Sequence, residues 1–219
     1  MDALVMCGGE GTRLAASLRG DAPEKPLYPI DGKPMVDRVL DALDASDIDR
    51  IHAVVSPATP ETREHITGRG PLIETPVSLI ETPGEGYVTD LSAALDDIVQ
   101  PVLTVAADLP LLTGDVVDRM LDVYAMTGTD DGSMTVAVPT TRKVRLGVSA
   151  DTVMETDALT AELLDGRGDA EVKPERIAPT GLNVVGASTQ TDTMYLTDDE
   201  RLAVNVNRAR DARIAEALE

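Results

Sequence analysis

The sequence contains no phenylalanine and no tryptophan, and among its 219 residues has one cysteine, two histidines and four lysines. Each shortage excludes something. Cys7 can form neither an internal disulfide nor a cysteine-clustered zinc site, and its expected state is a buried, inert thiol. His52 and His65 have no sequence neighbours that would complete a metal site, so both read as structural or solvent-exposed. No run approaches the roughly 18 uninterrupted apolar residues of a membrane span. The opening MDALVMCGGEG has an acid at position 2, where a secretory signal has basic residues, so a cytoplasmic location without membrane insertion is expected.

Acid is abundant. The 39 Asp and Glu outnumber the 19 Lys and Arg, giving a formal charge of −20 that is spread from end to end instead of collected in a tail. Dispersed carboxylates keep a protein soluble by mutual repulsion and destabilise the compact state until cations screen them, the pattern of a halophile's surface. Nucleic acid and anionic lipid need basic patches, which this chain lacks, so neither is an expected partner. With 42% hydrophobic residues the chain can build a substantial core, and its length favours one domain.

Short β-branched runs alternate with helical patterns through the first half. Asp2 to Cys7, Ile51 to Ser56, Val77 to Glu81 and Val102 to Ala106 are continuous apolar runs, the kind buried on both faces of a parallel sheet. Apolar stripes through Met35–Leu43, Leu91–Ile98 and Val116–Tyr124 predict helices, with Thr89 and Thr113 at N-cap positions. Ser133 to Val138 and Leu182 to Ala187 read as strands, Ala203 to Val206 as a short final strand, and Arg208 to Leu218 as a closing helix. Thr140 to Thr180 is weakly patterned, and helix and loop over one end of the sheet are expected there. This succession predicts an α/β fold: one Rossmann-like, doubly wound, mixed but mostly parallel sheet in a single domain, residues 1–219. A nucleotide-binding half is expected at about 1–112 and an acceptor-binding, closing half at about 113–219. Ligands of such sheets lie at the carboxyl ends of the strands, so function belongs in the loops that follow them.

After the first run comes Gly8-Gly9-Glu10-Gly11-Thr12-Arg13-Leu14, and then Lys25 in Glu24-Lys25-Pro26-Leu27. The glycines let backbone N–H groups approach an anion, Thr12 adds a hydroxyl, and Arg13 and Lys25 can neutralise phosphate oxygens. A triphosphate fits. The spacing is neither a Walker A loop nor the dinucleotide fingerprint, since Leu14 stands where the third glycine belongs. A tight strand-to-helix turn with incidental glycines is the alternative, and the basic pair that follows weighs against it. Ser56 to Thr59, ending the second run, and Gly84 to Tyr87, after the third, can both border a nucleotide. Guanine offers donors at N1 and N2, for which Glu85 or loop carbonyls could be acceptors, and Tyr87 could stack on a ring or simply pack.

LVMCGGEGTRL followed by EKPL resembles the opening of the nucleotidyltransferases that include sugar-phosphate nucleotidyltransferases and molybdopterin guanylyltransferases. That resemblance implies a nucleotide-diphospho-sugar transferase type of fold. It casts Gly8, Gly9, Gly11, Thr12 and Arg13 as triphosphate binders and Lys25 as a phosphate contact. SPATPET at 56–62, TPGEGYVTDL at 82–91, PTGLNVV at 179–185 and Asn205-Val206-Asn207 look like successive motifs of the archaeal CobY type of guanylyltransferase, spanning nearly the whole chain. Ser56, Gly84, Gly86 and Gly181 join the expected nucleotide-binding set with these motifs. Cys7 stands where that family would have alanine.

Asp108, in Val105-Ala106-Ala107-Asp108-Leu109-Pro110, follows an apolar run and should project at the carboxyl edge of the sheet. Among 39 acids any one is ordinarily solvated surface, but an Asp placed here matches the family's metal-binding aspartate. Mg²⁺ is the implied cofactor, held by Asp108 and Asn207, with Asn205 near the nucleotide. A polar sheet edge is the alternative reading of the two asparagines, because alternation alone does not distinguish edge from site.

The resemblance implies transfer of GMP from GTP to adenosylcobinamide phosphate, giving adenosyl-GDP-cobinamide and pyrophosphate in coenzyme B12 assembly. Arg13, Lys25 and Asp108 would be the catalytic residues, and the partners GTP and a corrinoid phosphate; a homodimer stays open. Three alternatives remain: a molybdopterin guanylyltransferase, a sugar-phosphate nucleotidyltransferase, and a nucleotide-binding regulator without transfer activity.

Overall fold

The computed structural model describes residues 1–18, 21–128, 131–155, 176–188 and 192–219. Ten strands are described: β1 Ala3–Met6, β2 Pro29–Ile30, β3 Lys33–Pro34, β4 Ile51–Val55, β5 Val77–Glu81, β6 Val102–Ala106, β7 Ser133–Pro139, β8 Met154–Glu155, β9 Arg176–Val185 and β10 Asp192–Leu196. The helices are α1 Thr12–Ser17, α2 Met35–Asp44, α3 Pro60–Arg69, α4 Tyr87–Leu95, α5 Gly114–Met126, α6 Thr140–Leu146, α7 Glu200–Ala203 and α8 Ala209–Leu218.

Seven strands run in the order β10-β7-β9-β6-β1-β4-β5, and β8 pairs with β9 as the eighth. β6, β1, β4 and β5 are mutually parallel, as are β7 and β10, while β9 runs antiparallel to β6, β7 and β8. This is the mixed, mostly parallel, doubly wound sheet expected from the sequence.

Alternation along the central strands explains their unbroken apolar runs. Ala3, Val5, Ile51, Ala53, Leu103 and Val105 face one way, into a core shared with Val36, Val39 and Leu40 of α2 and Val116, Val117 and Met120 of α5. Leu4, Val54 and Val102 face the other way, against Leu91, Ala94 and Leu95 of α4. Among the described residues, no helix is long and apolar enough to cross a membrane.

Three local expectations are corrected, and a fourth holds in position but not in its bonding. Ala203 to Val206 is not a strand: Ala203 ends α7, and Val204 and Val206 bury beside Leu14, Ile30 and Met35, while the Val206 N–H bonds to the Asp108 carbonyl at 3.0 Å. Thr89 does not cap its helix, because α4 begins earlier with Gly86 as N-cap and Asp90 N–H bonded to the Gly86 carbonyl. Thr113 does occupy the N-cap of α5, but its hydroxyl bonds to the Asp115 carboxylate instead of capping a backbone N–H. The Leu182 strand starts six residues earlier, at Arg176, carrying Pro179 and Gly181 within it. In the weakly patterned 140–180 stretch, α6, β8 and the start of β9 are described; residues 156–175 lie outside the described residues.

Candidate active site

A cleft of about 700 Å³ opens at the carboxyl ends of β1 and β6, walled by the loop after β1, the loop between β5 and α4, Lys25, Asp108 and Asn207. The β1 loop leaves the sheet at Cys7, whose burial pushes its thiol up to about 12. Gly11 then turns into α1 with φ of 64°, and a Cβ there would stand 2.7 Å from Lys25 Cβ, so glycine is needed for both the turn and the close approach of Lys25. Lys25 is anchored from its other neighbour. The Glu24 carboxylate accepts the N–H groups of Glu61 and Thr62 and the Thr62 hydroxyl, at 2.6–2.8 Å, capping α3 where Thr59 offers no side-chain cap.

The structure brings together Gly8, Gly9, Gly11, Thr12, Arg13, Lys25, Gly84, Gly86, Asp108 and Asn207 on the cleft wall. Lys25 Nζ donates to Asp108 Oδ2 at 2.6 Å and to Asn207 Oδ1 at 2.8 Å. Arg13 is exposed at the mouth, 3.7 Å from Asp151, which is clasped more tightly by Arg208 at 2.6 Å. Hydrogen bonding from Arg208 holds the Asp151 carboxyl below its usual range against a smaller opposing effect of burial, and the charges of Arg208, Arg13 and Lys25 add to the lowering. Glu85 lines the cleft, as does Tyr87, which begins α4 instead of lying in the loop. Although Tyr87 is half-exposed as a residue, burial about its hydroxyl end pushes the phenol up, against a hydrogen bond with Thr104 and with the Asp108 charge adding to the rise.

Three expected nucleotide contacts stand behind this wall instead. Ser56 is buried between Gly8 and Gly84, and its hydroxyl donates to the Gly8 carbonyl at 2.8 Å, so it joins the two loops. Gly181 is a packing glycine, since a Cβ at its φ of 88° would lie 3.0 Å from Ala106 Cβ and 3.2 Å from Asn205 Nδ2. Asn205 is buried, and its amide bonds to the Thr180 carbonyl, Lys143 and Asp108.

Three further residues shape the site, and two of them carry no readable motif. Asp90, buried in α4, accepts the Gly84 N–H at 2.8 Å and shapes the second loop. Asp211 accepts the backbone N–H groups of Asn207, Arg208 and Ser149 and the Ser149 hydroxyl at 2.8–3.0 Å, which fixes Asn207 at the start of α8. Lys143 lies buried beneath Asn205. Asp211 and Lys143 have unremarkable sequence neighbours, and only the fold brings them to the site; Asp90 lies in the TPGEGYVTDL motif at 82–91, which marks the loop but not this side chain's hold on it. His65 bonds to Asp37, and His52 to Asp2 and Ser78, the structural one of the two roles expected of them.

The oxygens suit a hard cation. Asp108 Oδ2 and Asn207 Oδ1 converge on one point, now held by the Lys25 ammonium, and both are the donor type Mg²⁺ prefers. Among the described residues there is no cluster of three or more His, Cys, Asp or Glu able to hold a metal, so a cation here would take its remaining oxygens from phosphate and water.

Residues 3–185 match the MobA-like NTP transferase domain. The adenosylcobinamide-phosphate guanylyltransferase of Methanocaldococcus jannaschii is 27% identical over 222 residues, covering 100% of this chain and 97% of that protein. The bifunctional protein GlmU of Listeria innocua is 27% identical over 122 residues, covering 56% of this chain and 25% of its own length. A Bacillus anthracis structure assigned as a glucose-1-phosphate thymidylyltransferase superposes with a TM-score of 0.70 at 13% identity, covering 100% of this chain and 94% of that one, which supports the fold. With its cleft at the carboxyl ends of a doubly wound sheet and the family match over most of its length, the chain belongs to the MobA-like NTP transferase domain family and is a nucleotidyltransferase.

Proposed function

We propose that the protein transfers GMP from GTP to adenosylcobinamide phosphate, releasing pyrophosphate. The observation that carries this is similarity running the full length of both chains to an adenosylcobinamide-phosphate guanylyltransferase, including the second half, where acceptor contacts are expected. An oxygen of the acceptor phosphate forms the new bond to the α-phosphorus in line with the departing bridging oxygen, and the pyrophosphate leaves with that electron pair. The acceptor is already an anion, so no general base is needed.

Positioning and charge do the remaining work. Arg13, exposed at the mouth and only loosely paired, is free to meet the outer phosphates. Lys25 lies deeper, where its ammonium can follow the triphosphate as negative charge moves onto the leaving group. Asp108 and Asn207 would hold Mg²⁺, which supplies charge neutralisation at the phosphates when bound. Glu85, exposed in the cleft, is the acceptor available to guanine N1 and N2. The dispersed acidic surface belongs to a protein that works in concentrated salt.

The test is incubation with Mg²⁺ and each of GTP, ATP, UTP and CTP against adenosylcobinamide phosphate, molybdopterin and hexose 1-phosphates, with products read by mass spectrometry. The expected outcome is adenosyl-GDP-cobinamide from GTP. Turnover of UTP with a hexose 1-phosphate would reassign the protein to sugar-nucleotide synthesis, and absence of pyrophosphate from every pair would leave a nucleotide-binding regulator.

A further inference from the structure

Lys143 is a charged side chain in an unfavourable place. It sits on α6 at 3% exposure, outside the cleft wall, and its ammonium donates to the Ala203 carbonyl at 2.8 Å and to Asn205 Oδ1 at 2.9 Å. Burial pushes its pKa down, and the charges of Asp108, Asp211 and Asp151 oppose that fall. Methionine would fill similar space without the desolvation cost, so the retained charge needs a reason.

The reason lies in the next side chain. An asparagine amide can sit in either of two orientations that exchange its oxygen and nitrogen. A lysine ammonium only donates, so Lys143 requires Oδ1 to face it; the Thr180 carbonyl only accepts, and takes Nδ2 at 2.6 Å. Both partners select the same orientation, and it turns Nδ2 toward Asp108 Oδ1 at 3.4 Å. The opposite orientation would set an amide oxygen against both a carboxylate and a carbonyl. One Asp108 oxygen therefore has a donor beside it, and the other is left to meet a cation together with Asn207.

We propose that Lys143 is a positioning residue that acts through Asn205 to orient the Asp108 carboxylate for metal binding. It lies outside the cleft wall and bonds to Ala203 and Asn205. The proposal rests on the assignment of Asp108 to the metal and is independent of which acceptor is used.

The experiment is a Mn²⁺ titration of the full-length protein with saturating GTP and no acceptor, followed by electron paramagnetic resonance, for wild type, Lys143→Met, Asn205→Ala and the double variant. Loss of a supporting contact to a metal ligand weakens metal affinity about tenfold to a hundredfold. Each single variant should show such a shift, the double should be no worse than the worse single, and GTP affinity measured without metal should change little. A wild-type titration in Lys143→Met, or losses that multiply in the double, would overturn the coupling. Should Lys143→Met fail to fold, Asn205→Ala decides: an unshifted Mn²⁺ titration overturns the coupling and a weakened one supports it. A wild-type protein that binds GTP but no Mn²⁺ would remove the metal assignment itself, an outcome distinct from failure of the coupling alone.

Discussion

Replacing Lys25 by methionine should turn a protein that ignores divalent cations in the absence of nucleotide into one that binds them. Lys25 and Asp108 are 18% and 14% exposed with 2.6 Å between charged atoms, so most of the pair lies out of water. At an effective dielectric constant of about 20 their attraction is about 6 kcal/mol, offset in large part by the desolvation of both groups. Removing one partner from a fully buried pair costs about 3–5 kcal/mol, because the other charge is left uncompensated. Residual exposure here lowers the expected loss to about 2–3 kcal/mol.

The stranded carboxylate is then the site of a second effect. Asp108 Oδ2 and Asn207 Oδ1 still converge, now on a point without an ammonium, and a divalent cation can take it. At a concentration about a hundred times its dissociation constant, such a cation returns about 2.7 kcal/mol, close to what the substitution removed. The assay is thermal unfolding of wild type and Lys25→Met across a Mg²⁺ series at fixed high KCl, without nucleotide. Wild type should be flat, and the variant should begin lower and climb with Mg²⁺. Transfer activity of the variant should fall about a hundredfold, since a cation aimed at the triphosphate is gone. Equal Mg²⁺ responses in the two proteins would refute the idea that Lys25 occupies the metal's place.

Burial pushes the Asp199 carboxyl up, but hydrogen bonds from Arg201 and Arg119 outweigh it and hold the pKa at about 2, below the ordinary 3.8. The stabilisation is present at neutral pH and is lost as pH falls from about 4 to about 2, so Asp199→Asn should cost about 1 kcal/mol at pH 7, after solvent screening, and almost nothing near pH 2 by urea unfolding. With its thiol pushed up to about 12 by burial, Cys7 should resist alkylation at neutral pH until the protein unfolds, and Cys7→Ala should keep full activity; rapid labelling of the native protein would contradict this. Turnover and thermal stability should both rise from dilute buffer to molar KCl, because screening relieves repulsion in a body at −20; full activity in dilute buffer that declines with added KCl would refute the halophilic reading.

What could be read in the sequence was what local pattern controls. β4 and β6 are apolar runs because both sheet faces are covered there, while β5, at the sheet edge, is only partly buried; α2 and α5 carry stripes because each lies against one of those faces. α3 has no such stripe: Thr62 and Ile66 are its buried residues, and Glu24, distant in sequence, caps it. The cleft-wall glycines, Lys25 and Asp108 were legible because motif and strand end coincide. Ser56, Gly181 and Asn205 stand behind the cleft wall, which a motif does not reveal, since it does not say which side of the wall a residue stands on. Lys143 was not legible at all, because its role depends on an amide orientation set by three distant segments.

An acidic protein with anionic substrates has to keep its few cations available without leaving nearby carboxylates bare. Here each cation at the cleft has a carboxylate partner: Lys25 with Asp108, and Arg13 sharing Asp151 with Arg208. The two arrangements differ in how readily they yield. Arg13 is 64% exposed on its side chain and its 3.7 Å contact is a surface pair of about 0–1 kcal/mol, and Asp151 keeps Arg208 when Arg13 turns away. Among the described residues no second cation is bonded to Asp108, so on the proposed function Lys25 would leave for the triphosphate at little cost only when another cation replaced it between Asp108 and Asn207. On the proposed function, Arg13 would make the first contact with the nucleotide, and Lys25 would move once a metal was held by Asp108 and Asn207. Nucleotide without metal should bind in a manner sensitive to Arg13→Ala and nearly indifferent to Lys25→Met, whereas with metal both substitutions should weaken binding. Equal sensitivity to Lys25→Met with and without metal, measured by calorimetry, would show that the two cations act together and that no exchange takes place at Asp108.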